Sequence, residues 1–302
     1  MDRAALQHSV LSFLENYSIE ATPHSIDELS GAARLLRPGA VVYVAHPPKC
    51  THDEIIATVR KLTQLGFEPV PHIVARRLRD QLQLDDFLSK LAAANVRRAL
   101  LVGGDLPEPV GNIHDSLQVL KSGALGKHGI RTIGVAGHPD GSQWIDSDVL
   151  RRALRDKAEY ARQNNKRLYV VSQFGFDASS LFRFEAELCA SGIELEIHAG
   201  LTGKTPMTSL LRYARRCGVG ASTRIMAGTV RKLFSRPRLM SMDQQIVAIG
   251  KHRLANPESK IVQAHFFPFG DMSATLRWLN AVLAGEFIFT GNKRGISVLS
   301  TT

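Results

Sequence analysis

The chain has 302 residues, 44% of them apolar, which is ample for a buried core, and no apolar run is long enough to span a bilayer. Its formal net charge of +10 is strewn along the chain in groups such as Arg76-Arg77, Arg97-Arg98 and Arg151-Arg152-Arg155 rather than gathered in one tail. With aromatics at only 7%, stacking platforms for single-stranded nucleic acid are scarce, so the charge suits solvated helix faces or the gathering of a small polyanionic ligand.

The three cysteines, Cys50, Cys189 and Cys217, are widely spaced and contain no CxxC pair. That pattern predicts reduced thiols and no zinc site. The opening Met1-Asp2-Arg3-Ala4 has neither the basic nor the apolar region of a signal peptide. A cytoplasmic protein with no membrane partner is the expectation.

In chain order, apolar β-type runs alternate with longer amphipathic segments. Asn16 to Thr22 reads as a short strand. Ser25 to Leu36 reads as a helix with a Ser25–Glu28 capping box. Ala40 to Ala45 is a fully apolar strand. Thr51 to Leu65 is a helix capped by Thr51 and ended by Gly66. Glu68 to Ile73 and Val96 to Val102 are strands, with a helix from Leu78 to Ala94 between them. Ile113 to Leu125 is the next helix, then a strand from Ile130 to Ala136 and a long helix from Asp146 to Asn164. Leu168 to Ser172 and Glu194 to Gly200 are strands around a helix from Ala178 to Ser191. Helical pieces fill Pro206 to Asn256. Ile261 to Phe267 is the last strand and Ser273 to Leu283 the last helix. The tail beyond about 285 is polar and is expected to be partly disordered.

About eight strands, each followed by a helix, predict a parallel sheet, and the chain length suits a (β/α)8 TIM barrel. An open doubly wound sheet is the alternative, but neither GxGxxG after a first strand nor a Walker phosphate loop is present. No Pro-, Gly- or Ser-rich linker divides the chain, which predicts one domain over 1–302.

A barrel places its ligands at the C-terminal strand ends. The chain offers Glu20 at the first, His46-Pro47-Pro48 at the second and Pro71-His72 at the third. Gly103-Gly104-Asp105 ends the fourth, Gly137-His138-Pro139-Asp140 the fifth and Gln173-Phe174 the sixth. Glu20 interrupts an apolar run, so it faces the barrel or its mouth, where a buried carboxyl can serve as a general acid. Pairing with an arginine is its bland alternative, and capping of the following turn is that of Asp105. No HxH or HExxH pair supports a metal, and no GxSxG elbow supports covalent hydrolysis. What remains suits a flat heteroaromatic ligand and proton-coupled chemistry.

In order and spacing, Ser18-Ile19-Glu20, Pro71-His72-Ile73, Gly104-Asp105-Leu106-Pro107, Gly137-His138-Pro139-Asp140-Gly141 and Ser172-Gln173-Phe174 with Phe176-Asp177 resemble the strand-end motifs of the methylenetetrahydrofolate reductase family. The resemblance runs from about Tyr17 to Phe267. It implies an oxidoreductase on a TIM barrel that interconverts 5,10-methylenetetrahydrofolate and 5-methyltetrahydrofolate with NADH or NADPH, usually through FAD. It implies Glu20 as general acid in opening the folate ring and Asp105 as the group that holds the pterin and tunes charge near the hydride acceptor. Gln173, Phe174 and Met207 would join Asp105 on the substrate. His72, Gly103, Gly104, Asp105, His138, Arg155 and Lys157 would line the cofactor.

Several positions depart from the family pattern. Gly103 stands for its arginine, His138 for its tyrosine and Ser142 for its histidine, and Leu150 and Ala153 stand where polar flavin contacts are usual. All of these fall on the flavin side. The departures leave open a flavin-independent reductase with direct hydride transfer, or a folate-binding methyl carrier without redox activity. A homo-oligomer is expected, and no nucleic-acid partner.

Overall fold

The computed structural model describes residues 2–205, 209–210, 212–213 and 241–299. Eight parallel strands follow one another in a closed barrel in the order β1 to β8. They are β1 (Ser18–Ala21), β2 (Val41–Val44), β3 (Glu68–Val74), β4 (Arg98–Val102), β5 (Thr132–Gly137), β6 (Arg167–Ser172), β7 (Glu196–Thr202) and β8 (Ile261–Phe267). Helices stand between them: α1 (Arg3–Leu14) before the barrel, then α2 (Ile26–Gly31), α3 (His52–Gln64), α4 (Gln81–Ala93), α5 (Ser116–Lys121), α6 (Ala124–Lys127), α7 (Ser147–Gln163), α8 (Ala178–Ala190), α9 (Met242–Ala255) and α10 (Met272–Leu283). The (β/α)8 class expected from the alternation is the observed one.

The chain clusters into two compact units. The first comprises Ser18–Ala136 and Arg152–Val171, and the second the described residues within Met1–Tyr17, Gly137–Arg151 and Ser172–Thr302.

Side chains alternate across a strand, and partners in a parallel ladder share a face. In the first unit this parity builds one interior layer. Tyr43, Val70, Leu100, Tyr169 and Val171 pack together, with Val41 and Val102 against them. Tyr43 and Tyr169 satisfy each other inside this layer, their hydroxyl oxygens 2.7 Å apart. Gly134 on β5 faces the same layer. A Cβ there would lie 2.9 Å from both Leu100 Cδ1 and the Tyr169 ring, so only glycine leaves room for the tyrosine.

In the second unit α1 lies against α9, with Leu6, Val10, Phe13 and Leu14 buried. Ser9 Oγ donates to the Gly250 carbonyl at 2.9 Å and Arg253 donates to the Ser9 carbonyl at 3.0 Å. The sequence reading began at Asn16 and missed this helix. Its signals are present: Asp2 caps Ala4 and Ala5, and the apolar residues recur at helical spacing.

The structure corrects four local expectations. The capping box does not sit at Ser25–Glu28. Thr22 and Ser25 cap each other across a 3-10 turn begun by Pro23, and Ser25 gives no side-chain cap to α2. The helix expected over 25–36 is broken after Gly31, and Ala33–Leu35 form a second 3-10 turn. The helix expected over 113–125 is two short ones, parted at Gly123, whose φ of +77° is left-handed. The tail is not irregular over 287–298: β9 (Phe287–Thr290) and β10 (Gly295–Val298) form an antiparallel hairpin, and Asp243 of α9 accepts the Ile296 N–H at 3.0 Å. That anchor is long-range and invisible to local composition.

A buried carboxylate ties α8 to the start of β8. Glu185 accepts from Ser259 Oγ at 2.7 Å and from the Lys260 backbone N–H, and its other oxygen lies 2.6 Å from His252 Nε2. The His252 ring stacks on Phe182 with centroids 4.1 Å apart. Replacing Glu185 by alanine strands these donors in a buried place. The expected loss is about 3–5 kcal/mol of unfolding free energy, read from denaturant midpoints at constant slope.

Candidate functional site

The parallel register of β1 through β5 brings the C-terminal strand ends of the first unit to one edge. Glu20 is paired with Tyr43 and Tyr43 with Val70, so Glu20 shares the face of the interior layer. His72, two residues beyond Val70, points to the same side. The Glu20 and His72 side chains are 14% and 13% exposed, and Glu20 Oε2 lies 3.4 Å from His72 Nε2. The His72 ring stands edge-on to Tyr43, with centroids 6.2 Å apart. Burial raises the Glu20 pKa, and the charge of the His72 imidazole works against that rise. Desolvation of a nearly buried carboxyl favours its protonated form. Among the described residues, Glu20 pairs with the His72 imidazole.

Asp105 lies three residues past the end of β4. It does not cap the next helix, a role taken by Asp115 for α5. Its Oδ1 instead accepts from Arg77 Nη2 at 2.7 Å. Before it, Gly104 takes a φ of +112°, and a Cβ would meet Val74 Cγ1 at 2.8 Å, so this turn requires glycine. Gly103 has open space above it.

Arg76 and Arg77 are the residues sequence reasoning missed. It counted them among scattered basic residues, and it started the following helix at Leu78. They form instead the 3-10 turn Ala75–Arg77, and the helix starts after Asp80, its cap. Arg76 donates to the carbonyls of Leu106 (2.8 Å), Pro107 (2.9 Å) and His114 (3.1 Å). Arg77 Nη1 donates to the carbonyls of His46 and, at 2.6 Å, Pro47. The available signal is an arginine pair separated by one residue from the end of an apolar strand.

Two further imidazoles follow β2, His46 on the loop and His52 at the start of α3. His46 Nε2 lies 2.8 Å from the Cys50 carbonyl oxygen, and the His46 and His52 rings are 5.3 Å apart. Burial lowers the pKa of both, that of His52 to about 4, so both are neutral at physiological pH.

Of the expected cofactor residues in this unit, Lys157 is half-buried on α7, and its Nζ donates to the Ala153 carbonyl at 3.2 Å. Burial lowers its pKa against the pull of Asp115 and Asp156. Arg155 is exposed.

The second unit holds Gln173, Phe174 and His138. The Gln173 N–H donates to the Gly137 carbonyl at 2.9 Å. Ser172 Oγ donates to the Gln173 carbonyl at 3.0 Å and accepts from Gly200 N at 2.8 Å, which fixes the backbone there. Phe174 is 2% exposed and packs with Phe176, Leu210, Tyr213, Phe267 and Phe269. Its ring centroid is 4.8 Å from that of Phe269. His138 is half-buried, and its carbonyl accepts from Gly141 N in a turn. A small cleft is lined by Gln173, Asp177, Ser180 and Gln245 among others. Asp140 of the same unit has its pKa raised by burial, opposed by a hydrogen bond from Ser180. Met207 lies outside the described residues. Among the described residues no group of three or more His, Cys, Asp or Glu could hold a metal ion, and no helix is long and apolar enough to cross a membrane.

The fold and the strand-end groups define the class: a (β/α)8 barrel with a nearly buried carboxyl, Glu20, at a strand end. Comparison with known proteins adds the following. No protein-family model matches the chain. An uncharacterised protein from Clostridium thermocellum that binds two copies of 5-methyl-5,6,7,8-tetrahydrofolic acid superposes with a TM-score of 0.56 at 10% identity, covering 92% of this chain and 99% of that one. A dihydropteroate synthase from Thermus thermophilus superposes with a TM-score of 0.47 at 11% identity, covering 91% and 95%. The first likeness is one of fold.

The raised Glu20 pKa has a consequence for stability. Below the ordinary carboxyl value of 4.5 the group is protonated in both the folded and the unfolded chain. Above it the unfolded chain ionises first, so the folded state loses stability until pH passes the raised folded value. Glu20→Gln removes that loss. The variant should gain stability relative to wild type as pH climbs from about 4.5 toward neutrality. Urea midpoints of both proteins across that range give the answer, and a constant difference between them would show that Glu20 is not perturbed.

Proposed function

We propose that this chain is a folate-directed oxidoreductase that interconverts 5,10-methylenetetrahydrofolate and 5-methyltetrahydrofolate, with a reduced nicotinamide dinucleotide as hydride source. The observation that carries this reading is the buried Glu20 carboxyl beside His72 at the strand-end edge, its pKa raised. The motif order supports the substrate class. So does the barrel from Clostridium thermocellum that binds 5-methyl-5,6,7,8-tetrahydrofolic acid, which is the reduced product in this reaction.

Opening the five-membered ring of the methylene compound breaks a carbon–nitrogen bond. The departing nitrogen takes a proton, and the carbon is left as an iminium. Glu20 supplies that proton, and the neighbouring imidazole stabilises the carboxylate that remains. Hydride then adds to the iminium carbon and gives the methyl group. Asp105, held through one oxygen by Arg77, offers its other oxygen to the N–H donors of the pterin edge.

FAD belongs to this proposal as the hydride relay that the resemblance implies. The open face at Gly103 and the left-handed turn at Gly104 fit the close approach of a flat ring to backbone, and half-buried Lys157 fits a diphosphate. Gly103, Gly104, Lys157 and Arg155 would hold it. A second reading, direct hydride transfer from the nicotinamide, draws support from the same side. Arg155 is exposed, and the ammonium of Lys157 is bonded to a carbonyl of its own helix.

Purified protein supplied with NADH or NADPH, the methylene folate and FAD should oxidise the nicotinamide. Absence of oxidation in every such mixture would leave only a folate binder. Glu20→Gln should lower turnover by about 10²–10⁴-fold while ligand affinity stays near wild type, because the amide cannot give up a proton. The absorbance spectrum of the dialysed protein decides the relay. Flavin should bind loosely, so the protein is expected nearly colourless and stimulated by added FAD. A colourless protein that turns over and ignores FAD would establish direct transfer.

A further inference from the structure

We propose that Arg77 is a positioning residue for substrate recognition: it locks the Asp105 carboxylate against the loop after β2 and so presents Oδ2 to the ring's N–H edge. The proposal rests on the folate reading above. The pair is asymmetric. The Arg77 side chain is 12% exposed and that of Asp105 41%, so a nearly buried cation holds a carboxylate that reaches solvent. One guanidinium makes all three bonds, to Asp105 Oδ1, the His46 carbonyl and the Pro47 carbonyl. Asp105 Oδ2 makes no hydrogen bond among the described residues and remains free to accept.

The planar fork is what permits this. Arginine presents donors in fixed directions and stays charged, whereas the ammonium of lysine is a single point on a flexible stem. The adjacent Arg76 supports the arrangement from the other side. It grips the carbonyls of Leu106, Pro107 and His114, and its own N–H donates to the Gly103 carbonyl at 3.0 Å. The Val110 and Asn112 N–H groups donate to the carbonyls of Arg76 and Arg79, both at 2.9 Å. The loop that carries Asp105 is thus fastened at 103, 106–107, 110, 112 and 114 to the turn that carries Arg77. Loss of Arg77 would release the carboxylate rotamer and the 46–47 carbonyls while the rest of the loop stayed fastened.

The test is a double-mutant cycle on the full chain, with 5-methyltetrahydrofolate binding followed by calorimetry and turnover measured in parallel. Arg77→Ala should weaken folate binding and raise its KM by about tenfold or more, with a smaller change in kcat, since a charge-assisted contact is lost at binding rather than at proton transfer. Arg77→Lys should recover only part of the affinity, and millimolar guanidinium should improve binding by the alanine variant. In an Asp105→Ala background, Arg77→Ala should cost little more, because the two residues act as one unit. Additive losses would overturn the proposal and make Arg77 an independent contact. Unchanged folate affinity in Arg77→Ala or, should that variant not fold, wild-type affinity in Arg77→Lys would also overturn it. A wild type that binds no folate at all would overturn the folate reading itself, and this proposal with it.

Discussion

Strand parity in a parallel ladder governs where Glu20 and His72 stand. Because the side-chain period is two and paired residues share a face, one hydrogen-bonded register decides which residues look inward. Tyr43, Val70 and Leu100 fill the interior of the first unit by that rule. The same rule carries Glu20 and His72 inward at the strand ends, where apolar packing gives way to polar groups. A register slip of one residue on β1 would turn Glu20 away from the interior layer and bring Ile19 and Ala21 to that face.

The energetic character of the two acids follows from what surrounds each. Glu20 is nearly buried beside an imidazole, and desolvation favours its neutral form. Asp105 is more exposed and tied to a guanidinium that is itself held by backbone carbonyls. The proposed function uses this difference: Glu20 would give up a proton and Asp105 would accept hydrogen bonds.

Rigidity around Asp105 comes from side chain to backbone bonding more than from regular structure. The loop after β4 is irregular, yet Arg76 and Arg77 satisfy carbonyls that would otherwise face solvent or stay unpaired. Phe174 offers a contrast. It lies beside Gln173 in sequence but is buried among aromatic rings, packed against Phe176, Phe267 and Phe269.

The sequence by itself determined the alternation of strands and helices, the parallel barrel it implies, and the placement of Glu20, His72, Asp105 and Gln173 at strand ends. Those features are local. Periodicity, glycine and proline punctuation and a polar residue at the end of an apolar run are all written within a few neighbours. The tertiary structure alone decided that Glu20 meets His72, 52 positions along the chain, and that Asp105 meets Arg77 across 28 positions. It also decided that α1 packs on α9 and that the tail closes as a hairpin on Asp243. Each of these is a contact between segments far apart along the chain. Spacing along a single chain holds no record of a contact made through space, so two arginines that looked like surface charge became the fastening of the site.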